Sequence, residues 1–432
     1  MASQYWHSES APTTASGTVD ITHASSIGTP TGVVILVTRS GTANKGSDFH
    51  TSFGLCDGTN ERVSSYASAN AGTTSQGRRA NDAVAMIIDT TGAIVGEFGF
   101  NSFIADGVRL DVANAFPSGY TITCRFQIDG QAWVGEQELG AGATDTITIG
   151  FEPDSVEFFA VPEGASGNGF AFNDAAGTSE FLCQGFAGWD GSGTLTQASV
   201  AFSWAYDSVG IPNQYRLSTY IDSSNIFRFA YDNTADDYWT VTSRDATSFT
   251  GELTAGASGG TYRAMIYAWQ GEDRKDVIVG VEDITVSSGT DSFTGYGDVE
   301  ALNILMTGIT APDTVNTTFA AASVSVGGAE DTSTEYAHHM GKRDGTSGGQ
   351  ANCGVESLMG VHRGWRGFGA LDRTFTIGFN SLVTDGFQVD VTTSPATTGV
   401  DFVVSTVSAF TGGGRIIKLD GAVRTDKIVL MG

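Results

Sequence analysis

The sequence predicts an all-β fold in which three tandem, jelly-roll-like β-sandwich units follow an extended N-terminal arm. Three observations support this prediction. Short segments alternate between apolar and polar or small residues, blocks of sequence recur, and no stretch shows the apolar period of about 3.6 residues that marks an amphipathic helix. A chain of 432 residues with 40% hydrophobic residues is long enough for roughly two to four domains with their own cores.

The strand pattern is clearest in segments rich in Val, Ile, Thr and Phe, the residue types that suit a pleated surface. Such segments occupy 121–126 (TITCRF), 145–149 (DTITI) and 388–391 (QVDV). Asp106-Gly107 and Asp385-Gly386 are typical hairpin-turn pairs, because glycine reaches positive φ at little cost. Many short strands separated by such turns favour β-sandwiches.

The strongest repeat relates residues 98–112 to residues 377–391, which align without a gap. Their identical positions include Phe100/Phe379, Asn101/Asn380, Ser102/Ser381, Asp106/Asp385, Gly107/Gly386, Asp111/Asp390 and Val112/Val391. We interpret Phe227-Arg-Phe229, with Asp236, Asp237 and Val241, as a degenerate copy in the middle of the chain.

Two further elements recur around this block. Upstream, a short turn leads into an apolar strand at 28–37, 150–159 and 295–302; downstream, a strand begins at Tyr120, Tyr262 and Val400. These copies predict units at 28–140, 148–280 and 295–415, of which the second is divergent and Trp-rich. The Ser/Thr/Ala-rich residues 1–27 are expected to form the extended arm or to fray, and residues 416–432 to form a C-terminal strand.

The charge balance excludes several classes of function. With 22 Lys+Arg against 48 Asp+Glu, the formal net charge is -26, and no run of basic residues is present. This argues against binding to nucleic acid and to anionic membranes. The longest apolar run, Val33–Val37, is too short to insert into a membrane. The first residues have neither the basic nor the apolar region of a secretory signal, so we expect synthesis in the cytoplasm.

No constellation of catalytic residues stands out, and we predict that the chain is not an enzyme. The nucleophile pattern G-x-S-x-G occurs at 256–260 and 345–349, but neither copy precedes a helical pattern. His338, His339 and His362 lie in a Gly-rich stretch and are expected to be solvated loop residues. A polysaccharide hydrolase would have only the abundant carboxylates and aromatic residues in its favour.

The sequence also predicts no cofactor. The four cysteines lack metal-ligand spacing and are expected to be buried thiols. The acidic cluster of Asp232, Asp236 and Asp237 lacks EF-hand spacing, so we expect a solvated loop there, with a structural Ca²⁺ as the alternative.

Two groups of residues are candidates for binding. Trp189, Tyr238 and Trp239 lie in turn-rich parts of the middle unit beside carboxylates, where exposed rings would stack on a sugar. The alternative is burial of these aromatic residues in a core or a subunit interface.

Arginine and aromatic residues are favoured at interface centres, which makes a second group the candidate for subunit contacts. Its members are Arg78, Arg79, Arg363, Trp365 and Arg366.

Several of these segments resemble repeat units of virion structural proteins of tailed bacteriophages, notably marine ones. The resemblance is carried by 53–65 (FGLCDGTNERVSS), Arg78-Arg79, 85–88 (AMII), the Phe100-Asn-Ser block and 150–158 (GFEPDSVEF). It covers most of 28–140 and 148–165, and 370–391 through the internal repeat, whereas 165–270 fit it poorly.

The resemblance implies a non-enzymatic virion protein that decorates the head, forms a fibre or attaches to the tail. It implies other virion proteins as partners and a homo-oligomer, with a trimer as the first expectation, although three tandem units in one chain would mimic the same geometry. The alternative function is a carbohydrate-binding adhesin or receptor-binding protein that recognises a bacterial surface glycan.

Overall fold

The computed structural model describes most of the chain. The described residues are 3–39, 48–68, 75–139, 144–161, 170–173, 179–206, 215–231, 234–254, 262–307, 313, 321–331, 333–343, 351–365, 371–394 and 400–409. They form antiparallel β-sheets and no helix, which confirms the all-β prediction. Six sheets are present in this part of the chain, and they occur as three pairs of one large and one small sheet.

The first pair uses the N-terminal part of the chain. Its large sheet has the order β1 (Gln4–Ser10), β10 (Tyr120–Ile128), β3 (Pro30–Arg39), β4 (Phe49–Cys56), β5 (Glu61–Ser68), β6 (Ser75–Ala80) and β14 (Phe170–Asn173). Its small sheet has the order β2 (Thr18–Thr22), β9 (Gly107–Asn114), β8 (Ile94–Ile104) and β7 (Ala85–Ile88).

The second pair uses the middle of the chain. Its large sheet has the order β11 (Gln131–Leu139), β21 (Tyr262–Gln270), β13 (Ser155–Val161), β15 (Ser179–Trp189), β16 (Leu195–Tyr206) and β17 (Tyr215–Asp222). Its small sheet has the order β12 (Thr144–Thr148), β20 (Ser248–Thr254), β19 (Thr234–Arg244) and β18 (Phe227–Tyr231).

The third pair uses the C-terminal part. Its large sheet has the order β22 (Lys275–Ile284), β31 (Val400–Ala409), β24 (Val299–Thr307), β25 (Ala321–Asp331), β26 (Thr334–Arg343) and β27 (Ala351–Glu356). Its small sheet has the order β23 (Ser288–Thr294), β30 (Gly386–Ser394), β29 (Leu371–Val383) and β28 (Gly360–Trp365).

One strand order describes all three pairs. If the ten strands of each pair are lettered a to j along the chain, leaving out β14, every large sheet is a-j-c-d-e-f and every small sheet is b-i-h-g. The three j strands begin at Tyr120, Tyr262 and Val400, as the sequence predicts. Strand β14 is an addition: it comes from the connection between β13 and β15 of the second pair and extends the first large sheet.

The pairing places several segments differently from the sequence expectation. The predicted extended arm of residues 1–27 is not what residues 3–27 form, because β1 pairs with β10 and β2 pairs with β9. Likewise β11 pairs with β21, although the predicted first unit includes it, and β22 pairs with β31, although the predicted second unit includes most of it. Each first strand bonds to a last strand more than 100 residues away, which local patterns do not reveal. Residues 416–432 lie outside the described residues.

The Phe100-Asn-Ser repeat marks a bulge in strand h. Asn101 and Asn380 are the extra residues in β8 and β29, and each donates from Nδ2 to an aspartate of strand i over 3.0 Å. The corresponding bulge of the second pair lies in β19 between Val241 and Ser243. Phe227 instead begins β18, a g strand, so it is not a copy of Phe98.

The Asp-Gly turns form for a different reason from the one expected. The residues with positive φ are Asp106 and Asp385, each at 62°. Glycine follows because strand i passes close to strand b: a Cβ on Gly107 would lie 2.1 Å from the carbonyl oxygen of Ile21, and one on Gly386 would lie 1.9 Å from that of Phe293.

Apolar residues fill two kinds of core. Between the two sheets of each pair lies a separate cluster, represented by Phe98, Trp239 and Phe387. A further cluster joins the other faces of all three large sheets and includes Trp6, Phe186 and Val403. Every large sheet is therefore covered on both faces, and each small sheet has an outer polar face. The four cysteines are buried and unpaired.

Candidate functional site: a closed set of contacts and three open strand edges

Three equivalent contacts join the sheet pairs in a closed cycle. Trp6, Val134 and Val279 occupy the same position in their a strands, opposite Arg125, Tyr267 and Ser405 of the j strands. In each case the backbone N–H donates to a side chain of the preceding pair that lies at the end of strand d, in the d–e turn or at the start of strand e. The acceptors are Asp57 Oδ2 for Val134 (2.8 Å), Thr196 Oγ1 for Val279 (2.9 Å) and Glu330 Oε1 for Trp6.

This cycle runs from the first pair to the second, from the second to the third, and from the third back to the first. Each a strand lies at the edge of a large sheet, so every second N–H group along it points away from the sheet. The cycle provides a hydrogen-bond acceptor for one of these N–H groups in every a strand.

The opposite edge of each large sheet is also contacted by a neighbouring pair. Strand β14, from the second pair, pairs with β6 of the first. Asp313, from the third pair, donates its N–H to the carbonyl of Ile221 in β17 over 2.8 Å. Cys353 in β27 of the third pair lies 3.8 Å, Sγ to O, from the carbonyl of Arg39 in the first. Contacts between pairs therefore occur at both edges of the large sheets.

A buried polar network lies where the three large sheets meet. Arg125 of the first pair forms an ion pair with Glu157 of the second and donates to Asn303 Oδ1 of the third over 3.0 Å. Gln184 donates to the other carboxylate oxygen of Glu157 over 2.6 Å, and Asn303 donates to Gln4 over 3.1 Å. Arg125 and Glu157 are each 5% exposed, so their charges are compensated almost entirely within the protein.

The junction between the third and first pairs has no direct chain connection, and side-chain contacts stabilise it. The ring of Trp6 packs on Gly328, where a Cβ would come within 2.4 Å of it. His338 bridges two hydroxyls of the first pair, with Nδ1 2.7 Å from Thr38 Oγ1 and Nε2 2.6 Å from Thr123 Oγ1. Burial lowers the pKa of His338 to about 3, so this imidazole is neutral near pH 7.

The sequence predicted solvated loop histidines, and for His338 and His339 this prediction is wrong. His338 and His339 lie in β26 and are each 1% exposed. The prediction treated the nearby glycines as a loop signal, whereas Gly327, Gly328 and Gly341 lie in the paired strands β25 and β26. His362 lies in β28, and its side chain is not described.

Two of the predicted subunit-contact residues, Arg78 and Arg79, have contacts within the chain. Arg79 is buried and forms an ion pair with Glu136, which also binds Arg263 at 3.1 Å. This pair joins β6 of the first sheet pair to β11 of the second. Arg78 donates to the carbonyl of Gly92 over 3.5 Å. Arg363 and Trp365 lie in β28, an edge strand, with side chains that are not described, and Arg366 lies outside the described residues.

The proposed sugar-stacking tryptophans are core residues. Trp189 is 3% exposed, and the guanidinium carbon of Arg244 lies 4.7 Å from its ring centroid. Trp239 is fully buried and stacks on Phe158 at 4.8 Å. Tyr238 is half-buried, with Arg228 5.0 Å from its ring. Neither tryptophan presents a face to solvent, because both lie between the two sheets of the second pair.

Little of the predicted chemistry falls on described side chains. Both G-x-S-x-G segments lie outside the described residues, as does Asp232, while the backbone of Asp236 and the buried Asp237 belong to β19. Among described residues, no group of three or more His, Cys, Asp or Glu side chains is arranged to hold a metal ion. No helix long and apolar enough to cross a membrane occurs in the described part of the chain.

The small sheets have an outer edge that the sequence interpretation missed. Their b strands repeat one pattern of hydroxyl and acidic residues: TVDIT at 18–22, TDTIT at 144–148 and TDSFT at 290–294. We call β2, β12 and β23 the threonine edge strands. In each of the three segments, the first, third and fifth residues are exposed and the fourth is buried. A search for repeats of five residues would have found them.

At one equivalent position, the b and i strands of the three small sheets are joined by three different side-chain pairs. Asp20 forms two hydrogen bonds with Arg109 at 2.6 and 2.7 Å. The equivalent pairs are Thr146–Thr250 at 3.1 Å and Ser292–Gln388 at 2.8 Å. Small sheets with different side chains thus keep one strand register.

Comparison with protein-family models, with curated proteins and with solved structures found no match.

Proposed function

We propose that this chain is a non-enzymatic structural protein of a tailed-bacteriophage virion, composed of three jelly-roll-like β-sandwich repeat units that close into one pseudo-trimeric body. It acts as a head-decorating, fibre-forming or tail-attached appendage, and its partners are other virion proteins. The units correspond to the three sheet pairs, at 4–128, 131–270 and 275–409.

The observation that carries this proposal is the cycle of equivalent a-strand contacts. A cycle of three contacts, each made by the same strand position, uses the chain to build a symmetric body. Its cores contain aromatic and β-branched residues, and the only large apolar side chain that is exposed among the described residues is Leu382, at 46%. The acidic surface would keep such a protein soluble at the concentrations of an assembly reaction.

The single chain supplies the threefold geometry that a homotrimer would otherwise provide. Three copies of one unit would bring three identical side chains to the position of Glu157 or of Asn303, and three buried carboxylates at one point would repel each other. The tandem arrangement instead combines one arginine, one glutamate and one asparagine there. We therefore propose that the protein is a monomer, in place of the trimer that the resemblance implies.

Mass spectrometry of purified virions tests the assignment. The protein should be present at a fixed copy number relative to the major head and tail proteins after gradient purification and a high-salt wash. Its absence from washed particles that retain infectivity would contradict the proposal.

The alternative of a glycan-binding adhesin loses its main support, because Trp189 and Trp239 are core residues. Only Tyr238 of that group remains partly accessible.

A further inference from the structure

We infer that the three threonine edge strands form one threefold binding surface, which takes one extended strand from each of three identical virion subunits. The inference rests on the proposed function and specifies the partner: a junction where three copies of one subunit meet. Each partner segment would add a strand to a small sheet, in the way that peptides extend sheet edges in other complexes.

The hydrogen-bond register shows which backbone groups are available. Gly17 accepts from Val112, and His23 donates to Asp106, so Val19 and Ile21 between them direct their backbone groups to β9. The intervening residues Thr18, Asp20 and Thr22 therefore direct theirs away from the sheet. Bonds from Ile149 to Thr247 and from Gly295 to Asp385 establish the same register in β12 and β23.

Within the described ranges, the large sheets, unlike the threonine edge strands, are contacted by other parts of the chain at both edges. Their a-strand and f-strand edges are contacted by neighbouring sheet pairs, which is how the cycle closes. At the threonine edge strands, no acceptor for the N–H of Thr22, Thr148 or Thr294 is found among the described residues. One outward N–H, that of Ser292, is bonded to the side chain of Asp291 at 3.0 Å. The cycle of contacts thus leaves the equivalent b-strand edge open on each pair.

The repetition indicates a threefold partner. Three pairs that differ at most surface positions keep a five-residue segment whose first and last residues are threonine. Since these threonines are exposed, packing does not require them. A partner that meets all three edges in the same way must itself present three equivalent segments.

Charge argues against a second copy of this chain as the occupant. Two chains with a formal charge of -26 each would repel when brought edge to edge. A neutral or basic extended segment from another subunit avoids that repulsion, so the partner is a different virion protein.

Proline substitution tests strand addition directly. Thr22→Pro, Thr148→Pro and Thr294→Pro each remove one outward N–H and leave the bonds to strand i in place; the residues before them are extended, as a following proline requires. The matched controls are Thr→Val at the same positions, which remove the hydroxyl but keep the N–H. Thermal unfolding of each variant verifies that it folds.

The assay measures rebinding of purified protein to virions produced without it. Each proline should weaken binding by about fivefold or more, and the triple variant by about a hundredfold, whereas the triple valine variant should bind within about threefold of wild type. Electron cryomicroscopy of saturated particles should place one chain on a threefold junction of the partner.

The outcomes separate this inference from the proposed function. Wild-type binding at a site without threefold symmetry, or equal binding by the folded triple proline variant, would overturn the inference and leave the virion assignment standing. Equal losses in the proline and valine series would show recognition through hydroxyls and would also overturn it. If the wild-type chain neither binds particles nor occurs in them, the proposed function itself fails.

Discussion

Removal of one charge from the central network should destabilise the whole protein. Glu157→Leu leaves the Arg125 guanidinium without its carboxylate, with Asn303 Oδ1 as the remaining acceptor of the network, in a site where both charged residues are 5% exposed. An uncompensated buried charge costs about 3–5 kcal/mol. Arg125→Met should cost a similar amount, because it leaves the Glu157 carboxylate with only the donor from Gln184.

The double variant distinguishes charge from packing. Arg125→Met with Glu157→Leu leaves no buried charge but removes partners from the amides of Asn303 and Gln184, which costs about 1–3 kcal/mol. We therefore expect the double variant to be more stable than either single variant. A double variant that is more stable than either single variant would show that the two charges are coupled. If each substitution caused only an independent packing defect, the two losses of stability would add.

Urea unfolding followed by tryptophan fluorescence provides the measurement. With a slope of about 3 kcal/mol/M or more for a chain of this size, each single variant should lower the midpoint by about 1 M. The exposed pair Asp20–Arg109, with side chains 41% and 42% exposed, is the matched control. Its neutral replacement should leave the midpoint unchanged within error. A single variant that unfolds at the wild-type midpoint, or a double variant that shows the sum of both losses, would refute the reasoning.

Three further predictions concern other junctions and bulges. His338, with its pKa lowered from 6.5 to about 3, stabilises the fold fully above pH 6.5. The contribution of His338 to the free energy of unfolding falls by about 1.4 kcal/mol for each pH unit below 6.5, because only the unfolded chain then binds the proton. The loss of unfolding free energy between pH 7.5 and 5.5 should therefore be smaller by about 1.4 kcal/mol in His338→Gln. Glu61→Ala removes the acceptor of the bulge N–H in β8 and should cost about 1–2 kcal/mol in urea unfolding, whereas Glu61→Gln should be tolerated. Trp6→Ala opens a cavity beside Gly328 and should lower stability by about 3–5 kcal/mol, with Trp6→Phe intermediate.

Each of these has a clear contrary result. An unchanged pH dependence in His338→Gln would mean that His338 is not the group that titrates. A glutamine already plays this role in the second sheet pair, where Gln197 accepts from the N–H of Val241 at the equivalent bulge over 2.9 Å. If Glu61→Gln were as unstable as Glu61→Ala, the charge of Glu61 would be required. Wild-type stability of Trp6→Ala would show that the first strand contributes little to the junction.

Titration of buried acids works in the opposite direction to that of His338. Burial raises the pKa of Asp129 and of Asp401 to about 6, with the neighbouring Asp283 adding to the effect at Asp401. These carboxyls bind protons more readily in the folded than in the unfolded chain, so they favour folding as the pH falls through 6. The comparison of wild type with His338→Gln isolates the histidine, because both proteins retain these acids.

The sequence predicted features that depend on neighbouring residues. Alternation of apolar and polar residues located strands, and the recurring elements located the starts of β10, β21 and β31. The Phe100-Asn-Ser repeat predicted a shared element, because the bulge and its Asn–Asp hydrogen bond need those residues at that spacing. Both follow from geometry within one hairpin.

Features that depend on distant partners were not predictable in the same way. An alternating pattern shows that two faces of a strand differ, but not whether a second sheet covers the polar face. The sequence therefore left open whether Trp189 is exposed or buried in a core or interface, and it predicted that β1 is part of an arm. Trp189 is covered by the core between the two sheets of the second pair, and β1 is paired with β10.

By itself, the sequence determined that this protein is all-β, acidic and internally repetitive, because strand propensity, charge and repetition are properties of short segments and of composition. Only the tertiary structure decided where each sheet pair begins, how the pairs close into a cycle, and that Arg125, Glu157 and Asn303 meet at the centre. These three residues lie on strands of three different sheet pairs, and the pairing of first with last strands brings them together. That pairing depends on contacts across more than a hundred residues, which no local pattern encodes.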